Sequence, residues 1–199
     1  MKINLEQIYA GLKAWRHERG ITAQSQKDGY IVNVMEELGE LAQALRDYEK
    51  FSKHDCPYCE IDKQKAEHGI IDALCDISVF TINAGADMPC TVKRTEIELK
   101  KSSLDADYIL KQMVEKCARL SYFEWGEASA FNIILVNCAY LCEYYGFNFQ
   151  IAMLETIKEI SSRTGTYDEN AKKWVKDESD EARAKWYQAD YEKARIGNE

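Results

Sequence analysis

Two short acidic segments hold the side chains whose types and spacing could do chemistry. In Glu36-Glu37-Leu38-Gly39-Glu40, a helix turning about 100° per residue sets Glu37 and Glu40 about 60° apart, with Asn33 in phase between them. Taken alone, such a pair is the common solvated face of a surface helix. The segment from Ile70 to Asn83 differs, because its apolar residues fall all round the helix and mark an element buried on nearly every side. Its ionisable exceptions align: Asp72 and Asp76 are about 40° apart, and Asn83 lies about 20° from Asp76. Two carboxylates on a buried helix are destabilising unless a cation or strong donors compensate them, and no Lys or Arg occurs in this segment. Glu37, Glu40, Asp72 and Asp76 on two antiparallel helices therefore make an all-oxygen ligand set suited to a hard cation, Mg²⁺ or Mn²⁺.

The elements that must position these groups are helical. The 199 residues contain only 2 Pro and 10 Gly, too few turn formers for a β-sandwich or barrel, and 46% apolar residues is enough for a sizeable core. The expected fold is all-α, a helical bundle forming a single domain over 1–199. A capping box at Asn4 to Gln7 opens the first helix, which runs to Gly20. A long helix is expected from about Gln26 to Phe51, on the stripe Ile31, Val34, Met35, Leu38, Leu41, Ala42 and Leu45. Further helices are expected near 64–85, 90–101, 105–123, 126–145, 148–162 and 178–195, the last charged all round and solvated. Residues 25–101 then form an acidic, metal-binding helical unit, 105–178 a degenerate second unit, and 178–199 a charged C-terminal helix. The repeat lays Glu36 to Leu41 on Glu115 to Leu120, and Asp76-Ile77 on Asn132-Ile133, with the acids lost from the second copy.

Acidic residues outnumber basic ones 34 to 26, a net charge of −8 that argues against a nucleic-acid polymer as partner. The longest apolar tract, Ile70 to Ala86, is broken by Asp72, Asp76 and Asn83, so no membrane span is expected. With no secretory signal at the start, a cytoplasmic location is expected. The 7 cysteines include Cys75, Cys117, Cys138 and Cys142 inside apolar helical runs, and all are read as free thiols.

The acidic motifs resemble those of the MazG-like, all-α nucleoside triphosphate pyrophosphohydrolases, a superfamily that includes the dimeric dUTPases. The family's Glu-x-x-Glu is matched by Glu37 to Glu40, and its second acidic motif by Asp72 to Asp76, where Ala73 stands at the usual acidic position and the acid appears one residue earlier. The stretch from Asp72 to Ala84, and Glu155 to Gly165 with Lys173 to Asp177, look like phage-type members. The resemblance implies Glu37, Glu40 and Asp76 as metal ligands, Glu36 as a ligand or an acid behind the ligands, and Asn83 as a contact for sugar or phosphates. It also implies assembly as a homodimer or higher oligomer, unless the internal repeat supplies that interface within one chain.

The expected activity is Mg²⁺-dependent cleavage of an NTP or dNTP to the monophosphate and pyrophosphate. Glu36 or Glu37 would orient or deprotonate the attacking water, and Asn33 and Asn83 would contact substrate. Lys158, Arg163, Lys172, Lys173 and Lys176 are the candidates for neutralising the outer phosphates, and Trp15, Tyr30, Trp125 and Trp174 for stacking on the base. The rival is a non-catalytic helical module that binds a nucleotide or a protein. Cys56-Pro57-Tyr58-Cys59 matches a glutaredoxin-like dithiol but lacks a βαβ setting, and a zinc knuckle with His54 or His68 lacks a second Cys pair. A plain loop is the expectation there.

Overall fold

A computed structural model describes residues 2–53, 56–86, 96–98, 105–120, 128–168 and 173–197. Seven α-helices dominate them: α1 (Glu6–Glu18), α2 (Ala23–Ser52), α3 (Pro57–Ala84), α4 (Ala106–Leu120), α5 (Ala128–Tyr144), α6 (Phe149–Ser162) and the single-turn α7 (Asp180–Arg183). Strand β1 (Lys2–Asn4) pairs antiparallel with β2 (Glu96–Glu98), and β3 (Gly165–Asp168) with β4 (Lys173–Lys176). None of the described helices is long and apolar enough to cross a membrane.

The helix starts follow local chemistry. Thr22 Oγ1 accepts the Ser25 N–H at 3.1 Å to cap α2, and Asn148 Oδ1 accepts the Ile151 N–H at 3.2 Å to cap α6. Helix α3 is the axis of the molecule, packed by α1, α2, α5 and α6. Its buried residues, from Ala66 through Ile70, Leu74, Ile77 and Val79 to Ala84, face every direction, as the sequence required. One continuous apolar core runs from Ile3 and Leu12 through this helix to Phe131, Phe149 and Tyr191.

Helices α2 and α3 form an antiparallel hairpin whose register decides what meets across it. The Tyr30 hydroxyl lies 3.5 Å from Thr81 Oγ1, and at Gly69 an added Cβ would stand 3.3 Å from the Ala44 Cβ. The absent side chain at Gly69 lets the two backbones approach one turn from Glu40 and Asp72. Helices α4 and α5 pack as a second pair, α5 against α3 and α4 against α2, with Ile109, Met113 and Cys117 buried rather than acids.

Two expected helices differ from the described residues; of the one expected over 90–101, residues 90–95 and 99–101 lie outside the described residues. Residues 96–98, inside that stretch, form strand β2, which pairs antiparallel with β1 and sets buried Ile97 opposite buried Ile3. The solvated helix expected over 178–195 is replaced by α7, an irregular stretch, and a 3₁₀ turn over Tyr191–Ala194, which together strap α6 to α3. Acids on α6 hold that strap. Glu159 accepts the Ala189 N–H at 2.8 Å and Glu155 the Asp190 N–H at 3.3 Å, and Tyr187 donates to Glu155. Beyond it, Arg195 bonds Glu67 at 2.9 Å and Glu192 at 2.8 Å.

Candidate functional site

The hairpin register brings both acidic segments together. Glu37, half-buried on α2, repels both Asp72 and Asp76 on α3, while Glu40, exposed one turn further on, repels Asp72. Charges that cannot escape one another hold their protons tightly. Burial, then the neighbouring carboxylates Glu40, Asp72 and Glu36, push Glu37 up to about 7 from 4.5, against the opposing pull of Lys176. Burial also raises Asp72 despite the hydrogen bond from Tyr191, and burial with repulsion from Asp72 and Glu37 raises Asp76 well above the ordinary aspartate value.

Helix α6 completes the acidic cluster with a residue that sequence reasoning missed. Glu159 repels Asp72 and Asp76, and its partner Arg163, 2.8 Å away, attracts them. Tyr191 is the second missed residue, carried in by the C-terminal strap. Its hydroxyl donates to Asp72 Oδ1 at 2.6 Å and lies 3.0 Å from Thr156 Oγ1, which fixes one oxygen of Asp72 and leaves the other available. No local pattern announces Tyr191, whereas the Glu159–Arg163 spacing of four is a readable helical ion pair.

The expected phosphate-binding cations divide. Arg163, at the C-terminus of α6, and Lys176, on β4, lie where their charge acts on the acidic cluster. Lys158 does not, because its ammonium is committed to Glu155 on the same helix. Lys172 and the Lys173 side chain fall outside the described residues. The hairpin that delivers Lys176 depends on Gly165, where a Cβ would stand 2.2 Å from the Val175 carbonyl oxygen. Arg19 anchors it: its guanidinium lies between the Trp15 and Trp174 rings and donates to the Ile160, Ser161 and Arg163 carbonyls at the end of α6.

The same contacts occupy most of the aromatic candidates. Trp15 donates its indole N–H to Ile160 O at 3.1 Å, Trp174 stacks on Arg19, and Tyr30 is wholly buried against Thr81. Trp125 is outside the described residues. Asn83 is better placed for a ligand: it is fully buried, and neither its amide nitrogen nor its oxygen has a partner. Buried amides are ordinarily bonded, so a polar ligand is the natural complement. Asn83 lies seven residues along α3 from Asp76, about 10 Å up the axis. Asn33, half-buried on α2, sits one turn before Glu37.

Donor chemistry fits a hard cation: mutually repelling carboxylates, three of them at least half-buried, on two facing helices, with all donors oxygen. Among the described residues, however, no three His, Cys, Asp or Glu side chains already converge as a cation shell. The acids interact across the groove without meeting at a common point, so binding a cation requires rotamer changes, most simply at the exposed Glu40.

The Cys56–Cys59 segment departs from expectation. The two cysteines are not free thiols in a loop but a disulfide at the first turn of α3, while Cys75, Cys117, Cys138 and Cys142 are free and buried. His68 is no partner for them, being nine residues down the helix, about 13 Å by its rise, and bonded to Glu192 at 2.7 Å. His54 is outside the described residues. Comparison of the chain with known protein families, with curated proteins and with solved structures finds no match.

Proposed function

We propose that the chain is a divalent-metal-dependent nucleoside triphosphate pyrophosphohydrolase of the MazG-like type. The observation that carries the reading is that Glu37, Glu40, Asp72 and Asp76 act on one another across one helix hairpin, with the proton affinities of Glu37, Asp72 and Asp76 raised. These four residues would hold Mg²⁺ or Mn²⁺, which when bound supplies Lewis acidity at the α-phosphate and neutralises phosphate oxygens.

The chain's own groups do the rest. Glu36 or Glu37, neighbours on α2, orients or takes the proton of a water that attacks the α-phosphorus in line. The bond to the bridging oxygen breaks, and pyrophosphate leaves with the nucleoside monophosphate as co-product. Lys176 and Arg163 offset charge on the outer phosphates. Asn83, with donor and acceptor both unpaired, binds the nucleoside half.

One observation favours the rival reading of a nucleotide-binding module without turnover: the acids do not form a ready cation shell. A single experiment separates them. Each common NTP and dNTP is incubated with the protein in Mg²⁺ or Mn²⁺, and pyrophosphate is followed against phosphate, with Glu40→Gln and Asp76→Asn alongside. Metal-dependent pyrophosphate release lost in both variants supports hydrolysis. Nucleotide-induced stabilisation with no product across the panel supports the binding module.

A further inference from the structure

The Cys56–Cys59 pair takes no part in the phosphate site. Cys59 is thirteen residues from Asp72 on the same helix, about 20 Å along its axis. Nor does the disulfide act as a staple. It joins two residues of one helical turn, where the helix already fixes their separation, so it links no two elements and constrains little of the unfolded chain. A bond with little structural value, in a position open to solvent, calls for a chemical explanation.

The surroundings supply one. Cys56 is the N-cap residue of the 28-residue helix α3, and the Cys59 N–H points at its Sγ at 3.1 Å. Unpaired N–H groups at a helix start stabilise a thiolate, and Pro57 fixes the backbone of that turn. Both cysteines are half-buried, while Pro57 and Tyr58 beside them are exposed, Tyr58 at 82%. The other four described cysteines are sealed in the core. Alongside runs an open cleft of about 640 Å³, lined by Pro57, Glu60, Ile61, Lys63, Glu67 and Arg195 among others. Its size suits a small peptide, and it offers charges of both signs beside the exposed Ile61.

We propose that Cys56 and Cys59 form a thiol–disulfide exchange site whose co-reactant is a small peptide disulfide of the glutathione class. The Cys56 thiolate attacks one sulfur of the co-reactant, whose S–S bond breaks and whose other half leaves as a thiolate that takes a proton from water. Cys59 then gives up its proton and attacks Cys56 Sγ, forming the disulfide seen here and releasing the second half as thiol. Two electrons pass from the dithiol to the co-reactant, and excess peptide thiol runs the sequence backward. This chemistry needs the helix start, which the structure provides, rather than the parallel sheet that usually precedes it.

The test uses full-length, pre-reduced protein with glutathione disulfide as probe. Cys59→Ser should accumulate one glutathione on Cys56, read by mass, and Cys56→Ser none there. Serine is itself a good N-cap, so Cys56→Ser keeps the helix start intact. Alkylation of Cys56 in Cys59→Ser should be about tenfold faster at pH 7 than that of free glutathione. A mixed disulfide on Cys56 with fast alkylation supports the site. No adduct, alkylation no faster than glutathione, or reduced protein retaining one zinc ion lost in both variants would each overturn it. Pyrophosphate release is not among these readouts, so the outcome is independent of the phosphate reading.

Discussion

Replacing Glu37 by Gln should stabilise the metal-free protein at pH 8 while destroying its capacity for metal-dependent turnover. The folded protein holds the Glu37 proton up to about 7, against 4.5 when unfolded. Between those values the folded state binds more protons, so stability falls as pH rises and the loss is complete above the higher value. At about 1.4 kcal/mol per tenfold, the difference is about 3.4 kcal/mol. Glu37 is only half-buried, and solvent screening reduces this to about 1–2 kcal/mol. Melting curves in a chelator should place the variant about 2–8 °C above the parent at pH 8, given about 2–4 °C per kcal/mol for a chain of this size. At pH 5 the gain should shrink to a few tenths of a kcal/mol, because little of the difference has developed. Added Mg²⁺ or Mn²⁺ should stabilise the parent and not the variant. A gain of equal size at both pH values would assign it to amide packing, and no gain at pH 8 would refute the picture of carboxylates held together against their charge.

The remaining expectations test how the site is held. Tyr191→Phe removes the 2.6 Å hydrogen bond to Asp72 and should cost about 1–2 kcal/mol in denaturant melts. It should also weaken metal activation several-fold, read from the metal concentration needed for half-maximal turnover. Gly69→Leu should spread α2 from α3 and lower both stability and metal affinity. Gly69→Ala, whose Cβ would sit 3.3 Å from Ala44, should lose far less of either. Glu155 is pushed up by burial, but hydrogen bonds from Lys158, Tyr187 and the Asp190 N–H outweigh this and hold it down at about 2. Its stabilisation is therefore present above about pH 4.5 and is lost as pH falls towards 2, visible as release of the C-terminal strap in proteolysis. Glu155→Gln should lower stability by about 1–3 kcal/mol at pH 7 and flatten that acid dependence.

The sequence alone determined the helices whose burial pattern is periodic. Its all-round apolar pattern marked α3 as the buried axis, and the aligned exceptions Asp72, Asp76 and Asn83 gave one polar line on it. Those features are legible because helical geometry converts spacing into direction within a single element. Tertiary structure decided which groups meet. The α2–α3 register, close at Gly69 and Ala44, brings Glu37 within electrostatic reach of Asp72 and Asp76, and two of the proposed phosphate-facing cations, Arg163 and Lys176, arrive on separate elements. Tyr191 reaches Asp72 across 119 positions of chain. The C-terminal segment reads as a solvated helix because its charges have no visible partners locally. In the fold, Glu155 and Glu159 on α6 take backbone N–H groups that a helix would have kept for itself, and Arg195 finds Glu67 on α3. Hydrogen-bond competition between distant segments has no periodicity, so that part of the fold exists only once the core has brought the partners together.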